Sequence, residues 1–190
     1  DIPYREDGNP KPFSDYAKCK IEIEKYLKTV QSTCKMTVGI VRFFNIYGCG
    51  QKKDFVASIF VDKALKNLPL TILGDGLQTR CFTFVDDAVE GVYKAFKYSG
   101  SSYEIFNIGN SAEYSINQLA EIVLKNVPQS KSEIIHQNYG NEIRDGNLEI
   151  FRRVPAVDKA FTMLGFKATT SLEQGLKNMV DYLMLNEKSQ

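Results

Sequence analysis

The chain has 190 residues, 43% of them hydrophobic, enough for one or two domains with a core of their own. Its 24 basic and 23 acidic side chains are interspersed and leave a net charge of +1, which argues against nucleic acid or an anionic membrane as partner. The four cysteines (Cys19, Cys34, Cys49, Cys81) lie far apart, and His136 is the one imidazole, so a zinc site is not expected.

The opening stretch, IPYREDGNPKPFSDY, has the polar, proline-rich character of a loop already under way, and a start upstream of Asp1 is expected. No apolar run approaches membrane-spanning length, and the thiols are read as reduced cysteines of a cytoplasmic protein. Over residues 14–30, Tyr16, Ile23, Tyr26, Leu27 and Val30 recur among lysines and glutamates, the pattern of an amphipathic helix. The run 36–44 is almost continuously apolar and rich in β-branched residues, as in a strand buried on both faces of a parallel sheet. A second helix is predicted through Phe55, Val56, Ile59, Phe60, Ala64 and Leu65, stopping near Pro69, with a short strand over 70–73. GDG then turns the chain. Residues 82–85 read as a strand leading into a helix whose start carries Asp86 and Asp87, favourable at the positive end of the helix dipole. Residues 103–108 are again strand-like. Ser115 with Gln118, and Thr170 with Glu173, have capping-box spacing and open apolar-periodic segments over 119–127 and 172–185. The polar stretch 137–147 is the expected long loop. This alternation of helices and strands predicts an α/β fold.

Tyr16 and Lys20, four apart on the first helix, project from one face about a turn apart. A phenol with an ordinary pKa of about 10 is a poor base at neutral pH, but a neighbouring ammonium favours the phenolate. On its own Y-x-x-x-K is a weak signal, since such pairs arise by chance on amphipathic helices. Asn45 ends the apolar strand, where asparagine also serves in plain turns. Arg80 and Arg153, taken by themselves, read as solvated surface charges. Leu70 and Ile72 look by periodicity like ordinary core.

Several motifs in order carry a resemblance. PFSDYAKCK opens the helix before a strand ending in RFFNIYG; GDGLQTRCFTFVDDAVEG, FNIGN, and KAFTMLGF followed by SLEQGL come after it. Together they resemble extended short-chain dehydrogenases, and among these the NAD-dependent epimerase/dehydratase family that acts on sugar nucleotides. The likeness implies the C-terminal part of a doubly wound, Rossmann-like parallel-sheet domain plus a smaller α/β substrate-binding lobe. Residues 1–47 and 86–110 would be the remainder of the coenzyme domain, and 48–85 and 111–190 the lobe. The cofactor implied is NAD. Tyr16 would be the catalytic base, and Lys20 would lower its pKa and bind ribose. Asn45 would approach the nicotinamide or the substrate diphosphate. Arg80, with Arg153 as a second clamp, would bind that diphosphate, and the backbone around Leu70 and Ile72 would cradle the base. The substrate implied is a UDP- or dTDP-hexose, the reaction a UDP-hexose 4-epimerisation through transient oxidation of a sugar hydroxyl. A 4,6-dehydratase, or a non-catalytic remnant that binds a sugar nucleotide or a partner protein, are the other readings. Family members commonly dimerise through the tyrosine helix.

The family's glycine-rich turn and upstream serine or threonine are not in this sequence, so the chain alone is expected to bind NAD poorly, to be inactive, and to be partly ordered or associated. Two departures stand out. Cys81 replaces an aspartate after the arginine, and Ala156 stands where the family's R-x-x-D-x-x-K-A has an aspartate, so a ribose hydrogen bond would need another partner such as Asp158. Cys49 follows Y-G where proline is common.

Overall fold

A computed structural model of the chain describes residues 2–12, 14–138 and 150–187, so the expected loop over 137–147 falls almost wholly outside the described residues. Helix α1 (Asp15–Cys34) starts where Ser14, in extended backbone, accepts the Ala17 amide on its hydroxyl at 3.2 Å. The helix outruns its apolar pattern and ends at Lys35 in the left-handed region, φ 52°. None of its residues is buried. What ties it down is polar: Arg42 on the next strand donates to Glu24 through Nε at 2.8 Å and Nη2 at 2.6 Å.

Strand β1 (Val38–Phe43) pairs in parallel with β6 (Tyr103–Ile108), from Val38 opposite Tyr103 to Phe43 opposite Ile108. The expectation of burial on both faces is corrected here. No residue of β1 is fully buried, and Phe43 is 46% exposed, because β6 is its one strand neighbour among the described residues. Asn45 then takes positive φ (41°), a conformation asparagine tolerates better than most residues, and shifts the chain into β2 (Ile46–Tyr47). That strand pairs with β5 (Thr83–Phe84) rather than with β6.

Helix α2 (Val56–Leu65) and strand β3 (Leu70–Leu73) match their predicted places, and β3 pairs in parallel with β8 (Ile134–Gln137). Strand β4 (Thr79–Cys81) lies between antiparallel β7 (Glu113–Ser115) and parallel β9 (Arg152–Arg153). Helix α3 (Val85–Lys97) carries Asp86 and Asp87 in its first turn as expected, and α4 (Ile116–Asn126) has the complete capping box of Ser115 and Gln118. Helices α5 (Asp158–Leu164) and α6 (Leu172–Glu187) close the chain. The second predicted cap is off by one residue: the hydroxyl that accepts the Gln174 amide at 3.1 Å belongs to Ser171, while the Thr170 amide turns to Asp87 at 3.0 Å.

Apolar burial falls into two clusters. The larger is built from α2, β3, α4 and α6 around Phe60, Leu70, Ile72, Leu119 and Leu176, with Tyr47 and Phe84 edge-on at 5.6 Å. The smaller holds Phe106, Ile108, Ala160 and Phe166, so the buried face of α5 meets β6 although its sequence position groups it with the lobe. Asp87 joins the two: it starts α3, on the side of the small cluster, and accepts the amides of Thr169 and Thr170 leading into α6. Gly76, at φ +69°, makes the turn after β3, and a side chain there would collide with Asn117 of α4.

Candidate active site

Three groups of candidate residues occupy distinct places. On α1, Tyr16 is 73% exposed, and the Lys20 ammonium lies 5.3 Å from its ring centroid, as helical spacing requires. No hydrogen bond, ion pair or ring contact among the described residues joins this pair to the other candidates. The Glu24–Arg42 bridge, two turns along the same helix, fixes the pair relative to β1.

The second group gathers at the carboxyl ends of β1 and β6 and the start of β5. Asn45 donates from Nδ2 to the Cys81 carbonyl at 3.0 Å, and its own carbonyl accepts the Thr83 amide at 3.2 Å. Thr83, fully buried, donates its hydroxyl to the Phe44 carbonyl at 2.8 Å and accepts the Asn110 amide at 3.0 Å. Asn45 therefore has a turn-forming job whatever else it touches.

The third group is the sheet β7–β4–β9. Arg80 and Arg153 are direct partners across β4 and β9, which puts both side chains on one face. Arg80 donates Nη1 to the carbonyls of Thr79 at 2.8 Å and Phe151 at 3.4 Å, and the Arg153 guanidinium stacks over Phe44 at 5.4 Å. Two permanent cations are thus held side by side, next to the residue preceding Asn45. The opposite face carries Thr79, Glu113 and Arg152, a network that periodicity did not single out, because its members come from three strands.

Leu70 and Ile72 have their side chains in the large cluster, 0% and 1% exposed, so any ligand contact there falls to backbone atoms not already paired with β8. Cys81, where the family places aspartate, is fully buried, and burial pushes its thiol up to about 12. Ala156 is buried as well; its amide donates to Tyr4 and its carbonyl accepts from Asn107. Asp158, in the first turn of α5, is exposed. Among the described residues no cluster of three or more metal-ligating side chains occurs, and no helix is long and apolar enough to cross a membrane.

Parallel strands with polar turns beyond their ends, joined by helices, make this an α/β fold of the Rossmann-like type. The sequence profile of the NAD dependent epimerase/dehydratase family matches residues 1–109, more than half of the chain, and the chain belongs to that family. UDP-N-acetyl-alpha-D-glucosaminuronate decarboxylase of Bacillus cytotoxicus is 38% identical over 88% of this chain and 52% of its own length. Two solved structures share the fold at 28% identity. The UDP-glucose 4-epimerase of Thermotoga maritima with UDP-glucose has a TM-score of 0.87, covering 97% of this chain and 58% of that one. The UDP-glucuronic acid 4-epimerase of Bacillus cereus with UDP-glucuronic acid and NAD has 0.80, covering 95% and 56%. The chain thus spans about half the length of the relatives it matches.

Proposed function

We propose that this chain forms the substrate side, and part of the coenzyme side, of an NAD-dependent sugar-nucleotide enzyme of the UDP-hexose 4-epimerase type. The observation that carries this reading is the exposed Tyr16–Lys20 pair on one helical face in the same chain as the paired Arg80 and Arg153. In this reading the Tyr16 oxygen takes the proton of a sugar hydroxyl, and Lys20 stabilises the phenolate and holds a ribose hydroxyl. Arg80 and Arg153 neutralise the diphosphate from one side of their sheet. Asn45 lines the space above the strand ends, and the backbone at Leu70 and Ile72 borders the base. NAD, when bound, supplies the acceptor that takes hydride from the sugar carbon and gives it back.

The two apolar clusters support a division in which β1, α3, β6 and α5 serve the coenzyme, while α2, β3, α4 and α6, with Tyr47 packed among them, serve the sugar nucleotide. Four free thiols favour a reducing, cytoplasmic setting, and the exposed Ile23 and Tyr26 of α1 offer a surface for a second copy. A second reading, decarboxylation, is favoured by the 38% identical relative named for it. It shares the first step, because a sugar acid oxidised beside the carboxylate-bearing carbon is a β-keto acid and loses carbon dioxide readily.

The test is product analysis by NMR on the full-length protein with NAD and either UDP-glucose or UDP-glucuronic acid. Inversion at the 4-position supports epimerisation, a UDP-pentose with carbon dioxide supports decarboxylation, and a 4-keto-6-deoxy product marks a dehydratase. Tyr16→Phe should lower turnover by about 10²–10⁴-fold with sugar-nucleotide binding retained. Sugar-nucleotide binding without turnover of either substrate would refute the catalytic reading.

A further inference from the structure

Helix α1 has no buried residue, so close packing does not fix where Tyr16 stands, and polar contacts carry that task. Among the described residues, the hydrogen bonds that tie α1 to the sheet and to the turn before β6 fall on Glu24 and Gln31. Arg42 donates Nε and Nη2 to the two Glu24 carboxylate oxygens at 2.8 and 2.6 Å, and Tyr103 donates its hydroxyl to the Glu24 carbonyl at 3.2 Å. Gln31, further from Tyr16, donates to the Ser102 hydroxyl at 3.0 Å. The same Arg42 guanidinium also donates Nη1 to the Glu6 carbonyl at 3.3 Å, in the segment that leads into α1. Beyond the turn at Gly8, Pro10 and Pro12 of that segment border a groove with Lys18 and Ile21 of α1. Arg42 therefore holds the helix near its middle and also the chain that enters it.

Across the β1–β6 pair, the direct partner of Arg42 is Asn107. The Asn107 amide donates to the Glu6 carboxylate at 2.9 Å, and its Nδ2 donates to the carbonyls of Tyr4 at 2.8 Å and Ala156 at 3.2 Å. Ala156 follows Arg153 by three residues. The Tyr16–Lys20 pair and the paired arginines share no direct contact, yet both are tied to these two neighbouring residues.

We propose that Arg42 is a positioning residue that sets where the Tyr16 oxygen stands, in a frame that Asn107 shares with the segment leaving Arg153. The inference rests on the catalytic reading of Tyr16 given above. Glu24 follows Tyr16 by eight residues, about 12 Å along the axis at about 1.5 Å per residue. A tilt of about 5° about Glu24 therefore carries Tyr16 about 1 Å sideways, and a misplacement of that size costs up to about 10²-fold in rate. Two parallel bonds from one planar fork to one carboxylate resist such a tilt, whereas a single ammonium contact leaves the helix free to pivot.

The test uses the full-length protein with NAD and whichever of UDP-glucose and UDP-glucuronic acid it turns over. It reads kcat beside the affinity and stoichiometry of UDP binding by calorimetry. Arg42→Lys keeps the charge and loses the fork. It is expected to lower kcat about tenfold or more, while UDP binds within about twofold of the parent and at the same stoichiometry. Glu24→Gln should lower kcat in the same direction, and added to Arg42→Lys it should cost little more, because both break one contact. Should Arg42→Lys fail to fold, Glu24→Gln decides alone by the same split between kcat and UDP binding. Unchanged kcat, a loss of UDP affinity or stoichiometry that matches the loss of kcat, or full additivity of the two substitutions would each overturn the positioning role while leaving the catalytic reading standing. If the unaltered protein turns over neither substrate, or Tyr16→Phe turns over as fast as the parent, the catalytic reading fails and the positioning role with it.

Discussion

Replacing Asp87 with alanine removes one carboxylate that serves two backbone amides far away in sequence. Oδ1 accepts the Thr169 amide at 3.3 Å and Oδ2 the Thr170 amide at 3.0 Å, and the residue is 5% exposed, so water has little access to the groups left behind. A hydrogen bond to a charged group contributes about 1.5–3 kcal/mol, and the longer of the two belongs at or below the low end, giving about 3 kcal/mol for the pair. A chain of about 150–250 residues moves its melting temperature by about 2–4 °C per kcal/mol and a longer one by less, so Asp87→Ala should lower it by about 4–6 °C. Asp87→Asn keeps one acceptor oxygen and should lose about half as much. The assay is calorimetric melting of the full-length protein, with hydrogen exchange followed over residues 165–171. Exchange there should accelerate before that of α4, because the bond joins the start of α6 to α3. A melting temperature within about 2 °C of the parent, or exchange that quickens evenly through both clusters, would refute the view that Asp87 fastens one cluster to the other.

Ser115→Ala breaks a complete capping box and should cost about 1 kcal/mol in urea unfolding, with Ser115→Gly costing less. Cys19 and Cys34 are exposed and should react with a thiol reagent in the native protein, whereas Cys81, fully buried with its thiol pushed up to about 12, should label only after unfolding. Mass mapping of the labelled peptides checks this. The Arg152 guanidinium and the Thr79 hydroxyl hold the Glu113 carboxyl below its usual 4.5. Since the folded-state pKa is depressed, its contribution is present above 4.5 and is lost as pH falls through the folded value. Acid unfolding of Glu113→Gln should therefore show a slightly shallower loss of stability below that pH than the parent.

Elements whose identity is local were readable from the chain. Helix α2, strands β3 and β6, and the cap of α4 follow from period, a proline stop and a serine hydroxyl within one or two turns. Strands β7, β8 and β9 were not, because two to four residues carry no period and their partners lie far off in sequence. The burial of β1 was overestimated for the same reason: an apolar run shows what a strand can bury, and its neighbours decide what it does bury. Within the candidate site, Tyr16 and Lys20 were legible because helix geometry alone makes them neighbours. Arg80 and Arg153 were each recognisable by motif, but their adjacency is a property of strand pairing. Glu113 and Arg152, 39 residues apart, left no local trace, and a charge at a strand end reads as solvated surface until its partner is known.

The Thr83 hydroxyl spends its hydrogen on the carbonyl before Asn45 and its lone pair on the amide of Asn110, so one small group at the start of β5 levels the ends of β1 and β6. Strand ends in such sheets form the floor on which a ligand rests. Here the level at which two such ends sit against one another is set by a side chain with no accessible surface, and a change of residue at 83 would loosen both at once.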